Sequence, residues 1–238
     1  GLYGGIVNNP GNALSELIAN MKDDKGQITI PGFYDDVETV SEEERQLLNQ
    51  VPLSDSQIMD SIAIGELFGE EGYTTTERLG IRPSLDVNGI WGGYSGEGAK
   101  TILPAKASAK VSMRLVPHQD PDKIEKLLYA YLEKNIPPGL RFKLKALHGG
   151  NAYVSPWDSV AVKAAIKAMK KTLGKKPLPV RSGGSIPIIS VFERILGNKA
   201  VLMGFGLEED AIHSPNENFP LINFFKGIET ITWFFHDF

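Results

Sequence analysis

The residues best suited to chemistry lie in the C-terminal third of the chain. Ala211-Ile212-His213-Ser214-Pro215-Asn216-Glu217 sets one histidine in a polar, proline-stiffened loop between an apolar strand and an apolar helix. Only four histidines occur, His118, His148, His213 and His236. Of these, His213 alone sits where loop geometry can aim a neutral imidazole toward a metal in a cleft. Upstream, Arg181-Ser182-Gly183-Gly184-Ser185-Ile186-Pro187 has the glycines that let a backbone approach a ligand closely. Together the two loops point to one active site. Taken singly, each also reads as ordinary surface structure: a hydrogen-bonded loop histidine and a Gly-Gly turn.

Composition bounds the chemistry. The 238 residues are enough for one large or two modest domains, and 42% apolar content supports a buried core. A net charge of −4 argues against a dedicated nucleic-acid binder, which needs a basic excess. No apolar run reaches the roughly 18 to 20 residues that span a bilayer. With no cysteine, disulfides and thiolate metal sites are excluded, so any metal is held by His, Asp and Glu. This composition fits a soluble protein of the cytoplasm, which is the expected location.

The elements that must position these loops read as follows. Asn9, Pro10 and the apolar series Ala13, Leu14, Leu17, Ile18 and Met21 predict a helix over residues 10–22. Ser41 followed by Glu42, Glu43 and Glu44 places acids in a first helical turn, and residues 54–68 carry apolar side chains near helical spacing. Residues 84–91 have strand character and run into a glycine-rich loop that lacks a phosphate-binding ending. Residues 106–116 alternate apolar and polar, as a strand with one buried face does, which puts Arg114 on the polar face. Asp120-Pro121 starts a helix through Ile124, Leu127, Leu128, Tyr131 and Leu132, and residues 140–147 read as another strand. The order predicts an α/β two-layer sandwich of ferredoxin-like type over 1–152, with helices on one sheet face. After a junction at Ser155-Pro156-Trp157-Asp158, residues 153–238 read as a helix with a solvated lysine face, a helix over 186–196, a buried strand at 200–203 and an apolar helix from Leu221. That is part of a larger α/β domain.

The Arg181 and His213 loops, together with Gly1-Leu2-Tyr3-Gly4-Gly5, Ile30-Pro31-Gly32-Phe33-Tyr34-Asp35-Asp36-Val37, Gly98-Ala99-Lys100-Thr101-Ile102-Leu103-Pro104 and Met113-Arg114-Leu115-Val116-Pro117, stand in an order that resembles the carnosinase-like branch of the dinuclear zinc aminopeptidase and aminoacylase superfamily. The resemblance implies a dimerisation or lid domain over 1–152 and the C-terminal part of a metallopeptidase catalytic domain over 153–238. It implies hydrolysis of dipeptides or short peptides by a homodimer that uses two divalent ions, zinc with manganese or cobalt as alternatives. His213 would be one metal ligand. The other ligands and the general base would lie upstream of Gly1, so no catalytic base is expected in these residues. Arg114 would grasp the substrate's C-terminal carboxylate, since a guanidinium makes two parallel hydrogen bonds to it. Gly184 and Ser185 would hold the same end, and Thr101 would donate a hydroxyl to the neighbouring subunit's site. Arg181 is expected to brace its loop, and Glu217 to fix the loop of His213. Two other readings stay open: a non-catalytic dimerisation fragment, and an aminoacylase or deacylase with the same metal chemistry.

Overall fold

A computed structural model describes residues 1–51, 54–183 and 186–238, and these divide into two compact units. The first comprises Gly1–Ala152 with Val180–Pro187, and the second Tyr153–Pro179 with Ile188–Phe238. The fold is mixed α/β, as expected.

In the first unit, α1 (Pro10–Ala19) starts where Asn9 accepts the Gly11 N–H at 2.8 Å with Pro10 in the first turn. It stops three residues before the predicted end. Asp23 Oδ1 accepts the N–H groups of Lys25 and Gln27, at 3.0 and 2.8 Å, and this side-chain turn competes with further helix. Three short helices follow: α2 (Glu42–Leu48), α3 (Asp55–Ile62) and α4 (Thr75–Gly80). Ser41, Ser54 and Thr74 cap them by accepting backbone N–H groups three residues on. Strands β1 (Ser84–Gly92) and β2 (Ala107–Arg114) pair antiparallel from Ser84 opposite Arg114 to Gly92 opposite Ala107, with an irregularity at Asn88.

Helix α5 (Pro121–Asn135), capped by Asp120, packs with α1 against the sheet. The core gathers Leu17, Met21, Ile28, Ile30, Phe33, Leu85, Ile124 and Tyr131, with Val111 and Met113 of β2 packed on it. The Tyr131 hydroxyl donates to the Leu17 carbonyl at 3.0 Å and ties α5 to α1. Burial of Val111 and Met113 on this face leaves Lys110, Ser112 and Arg114 exposed on the other, as period-2 geometry requires. Among the described residues the ladder is confined to β1 and β2, with a single bridge from Lys22 to Ile28. Residues 140–147 keep alternating exposure through Lys145 but join no ladder.

In the second unit, α6 (Val160–Leu173) packs on α8 (Leu221–Asp237). Close approach depends on small side chains: Ala168 and Thr230 are fully buried. Thr172 and Thr230 turn their hydroxyls back onto the carbonyls of Ala168 and Lys226, at 3.0 and 2.8 Å. The lysine face of α6 is partly engaged: Lys167 pairs with Asp237 at 3.0 Å, and the Lys171 ammonium sits 2.8 Å from the Trp233 ring centre. Helix α7 (Ile188–Leu196) and a 3₁₀ turn (Glu208–Asp210) complete the unit. Residues 200–203 are not laddered either. The Ala200 carbonyl instead accepts the Tyr153 and Ser155 hydroxyls, at 2.8 and 3.0 Å.

Candidate functional site

Arg114 closes β2 on the exposed face of the sheet, and among the described residues it has no carboxylate partner. Gly183 lies against it. A Cβ at Gly183 would overlap the Cδ, Nε and Cζ atoms of Arg114, so any larger residue there would displace that side chain from its present position. The structure therefore brings Arg114 and the first part of the glycine-rich loop together within one unit. Gly184 and Ser185 lie outside the described residues.

The loop is tied down from below. Arg181 is 18% exposed and its Nη2 meets Glu44 Oε1 of α2 at 2.5 Å. Its Nε is buried without a hydrogen-bond partner among the described residues. Gly80, at the end of α4, lies so close that a Cβ there would come within 2.5 Å of the Arg181 carbonyl. Arg181 thus faces α2 and α4 and braces the loop.

The α2 to α4 segment is held by two arginine–carboxylate forks. Glu77 accepts Arg45 Nε and Nη2 at 2.7 and 2.9 Å, and Glu70 accepts Arg82 Nε and Nη2 at 2.7 and 2.6 Å. The Arg45 fork holds the Glu77 carboxyl at about 2, well below its usual range, against the opposing effect of burial. Arg82 also stacks over Tyr73 and Tyr34, 4.3 and 5.0 Å from the ring centres. Burial pushes the Tyr34 hydroxyl above its ordinary range.

Thr101 is exposed in the connection between β1 and β2, next to Gly1. A cavity of about 320 Å³ opens beside it, lined by Trp91, Ile102, Pro104, Ala105 and Lys106 among others.

His213 stands in the second unit, exposed, on a loop of unusual backbone. Ala211, His213 and Asn216 all have positive φ, at 52°, 61° and 65°. Each such non-glycine residue costs about 1 kcal/mol or more, so three within six positions need strong bracing. Asp210 supplies it. Its buried Oδ2 accepts the Leu207 N–H at 2.7 Å, and its carbonyl accepts the Asn218 N–H at 2.9 Å, closing the loop at its neck. Glu217 is exposed, and its N–H donates to the Ser214 carbonyl at 3.2 Å.

Among the described residues, the side chains do not form a complete metal centre. His213 offers one imidazole, and among the described residues no three His, Cys, Asp or Glu side chains converge. A two-metal centre needs about four or more protein donors. Sequence reasoning did not single out Glu44, Gly80, Gly183 and Asp210 for these supporting roles. Their contacts join segments remote in the chain or follow from loop backbone angles, and neither leaves a local pattern. No helix among the described residues is long and apolar enough to cross a membrane.

Residues 1–140 match the family model of the peptidase dimerisation domain. A Cys-Gly metallodipeptidase of Candida albicans is 32% identical over 239 residues, covering 99% of this chain and 49% of that protein. The Beta-Ala-His dipeptidase of Homo sapiens is 29% identical over 99% of this chain and 47% of its own length. An M20 family metallo-carboxypeptidase from Sulfolobus solfataricus superposes with a TM-score of 0.87 at 33% identity, over 98% of this chain and 53% of that one. Human carnosine dipeptidase 1 superposes with a TM-score of 0.82 at 28% identity, over 99% and 50%. The chain spans about half the length of the curated relatives it matches.

Proposed function

The chain belongs to the peptidase dimerisation domain family, and from that premise we propose that it serves a metal-dependent hydrolase of dipeptides or short peptides. In this reading residues 1–152 are the dimerisation and lid domain, and residues 153–238 are part of the catalytic domain. Arg114 binds the substrate's C-terminal carboxylate, the Gly184 backbone and Ser185 hold the same end, and Thr101 donates its hydroxyl across a homodimer. His213 is one ligand of a divalent pair, zinc in this reading, whose remaining ligands and general base are not among these residues. The enzyme works in the cytoplasm. The relatives named above support the reading, since they are a metallodipeptidase, a dipeptidase and a metallo-carboxypeptidase.

The observation that carries it is the state of Arg114: a guanidinium at a strand end, without a carboxylate partner among the described residues and seated against a glycine. A planar cation so placed suits a bidentate grip on a carboxylate. Peptides with a free C-terminus carry that group and their amides do not. In the active enzyme, Arg114→Ala lowers kcat/KM for a dipeptide by an amount equivalent to about 2 to 4 kcal/mol and changes that for the dipeptide amide far less. Equal losses for both substrates would assign Arg114 to structure alone.

A further inference from the structure

We propose that Glu44 is a positioning residue: through Arg181 it seats Gly183 against one face of the Arg114 guanidinium, fixing the plane of that group so that its N–H edges face the carboxylate. The proposal rests on the carboxylate-binding role of Arg114 and adds what sets its orientation.

An arginine at the end of a strand has long, soft torsions, and one such cation binds a carboxylate through several edges. Here one face is covered. The atoms nearest a would-be Gly183 Cβ are Nε, Cζ and Cδ of Arg114, all at similar distances, so the glycine lies over the flat side of the guanidinium. The N–H edges of the plane remain for the ligand.

The loop in turn depends on Arg181. That guanidinium is largely buried, and among the described residues its Nε lacks a partner and its ion pair is with Glu44. Removing the Glu44 charge leaves a buried cation without compensation, and such a group leaves its pocket rather than remain unpaired. The loop is built to sit tightly, since Gly80 allows the Arg181 carbonyl to approach as no residue with a Cβ would. Releasing Arg181 therefore releases Gly183, and with it the restriction on Arg114. Glu44 acts on α2 without touching substrate.

The test compares Glu44→Gln, Glu44→Asp and Arg114→Ala in the active enzyme, each on a dipeptide and on its C-terminal amide. Glu44→Gln is expected to raise KM for the free dipeptide about tenfold or more while the amide is unaffected, because a misplaced clamp loses orientation. Glu44→Asp, which keeps the charge, restores part of the loss. In the 238-residue chain, the Arg114 Nε–H NMR signal shifts in Glu44→Gln, and the remaining spectrum reports an intact fold. If Glu44→Gln leaves KM unchanged, or raises it equally for both substrates, while Arg114→Ala still separates them, the carboxylate role stands and the positioning role is overturned. If Arg114→Ala fails to separate the two substrates, the carboxylate role falls and the Glu44 proposal falls with it.

Discussion

Acid should unfasten the module that carries Glu44, and the group responsible is Glu77. Its side chain is 1% exposed and accepts the Arg45 fork, the Asn49 amide at 3.1 Å and the Thr74 N–H at 2.9 Å. It thereby ties α2 to the start of α4. Its pKa falls from 4.5 to about 2, chiefly because of the Arg45 hydrogen bonds. A group whose folded pKa is depressed contributes stability above its unfolded pKa and loses it as pH falls toward the folded value. A shift of this size corresponds to about 3 kcal/mol, of which about 2 kcal/mol is gone by pH 3. Glu77→Gln removes the titration and leaves Arg45 facing a neutral amide. Urea unfolding of both proteins between pH 7 and pH 3 is the assay. The variant should be the less stable by about 3 kcal/mol at pH 7, and the gap should shrink by about 2 kcal/mol at pH 3. Parallel losses in the two proteins across that range would show that the fork does not hold Glu77 ionised, and the reasoning would fail.

The proposed assembly and metal chemistry are open to direct measurement. Sedimentation at rising concentration should show association of the 238-residue chain through its first unit, since strands with free edge groups dock readily; a monomer at every concentration would count against it. Zinc titration by calorimetry of the same chain should give no tight two-metal binding, because a single loop imidazole cannot replace several converging donors. Tight uptake of two ions per chain that vanishes in His213→Ala would show instead that these residues hold a complete centre.

Much of the first unit was legible as local pattern. Asn9, Ser41 and Asp120 cap helices where the sequence places them, because a cap is a contact between residues two or three apart. The alternation through β2 put Arg114 on the exposed face for the same reason, since a pleat turns every second side chain outward. Residues 140–147 show where that legibility stops: alternation names the buried face of a segment but not a neighbour for its backbone, and no ladder formed. Helix α4 is short and went unread, although Thr74 and Glu77 form a capping box, because no apolar stripe accompanies it.

By itself, then, the sequence determined the capped helices and the two paired strands, the polar face that carries Arg114, the loop that carries His213, and, through the absence of cysteine, which donors a metal can have. Tertiary structure alone decided that Glu44 reaches Arg181, that Gly183 lies against one face of the Arg114 guanidinium, and that Arg45 meets Glu77 across 32 residues. It also decided that the residues flanking and including His213 take left-handed backbone angles held by a buried Asp210. The physical reason is range. Caps and pleats act over a few residues and leave a period in the sequence, whereas an ion pair or a glycine contact between distant segments depends on the path of the whole chain and leaves none.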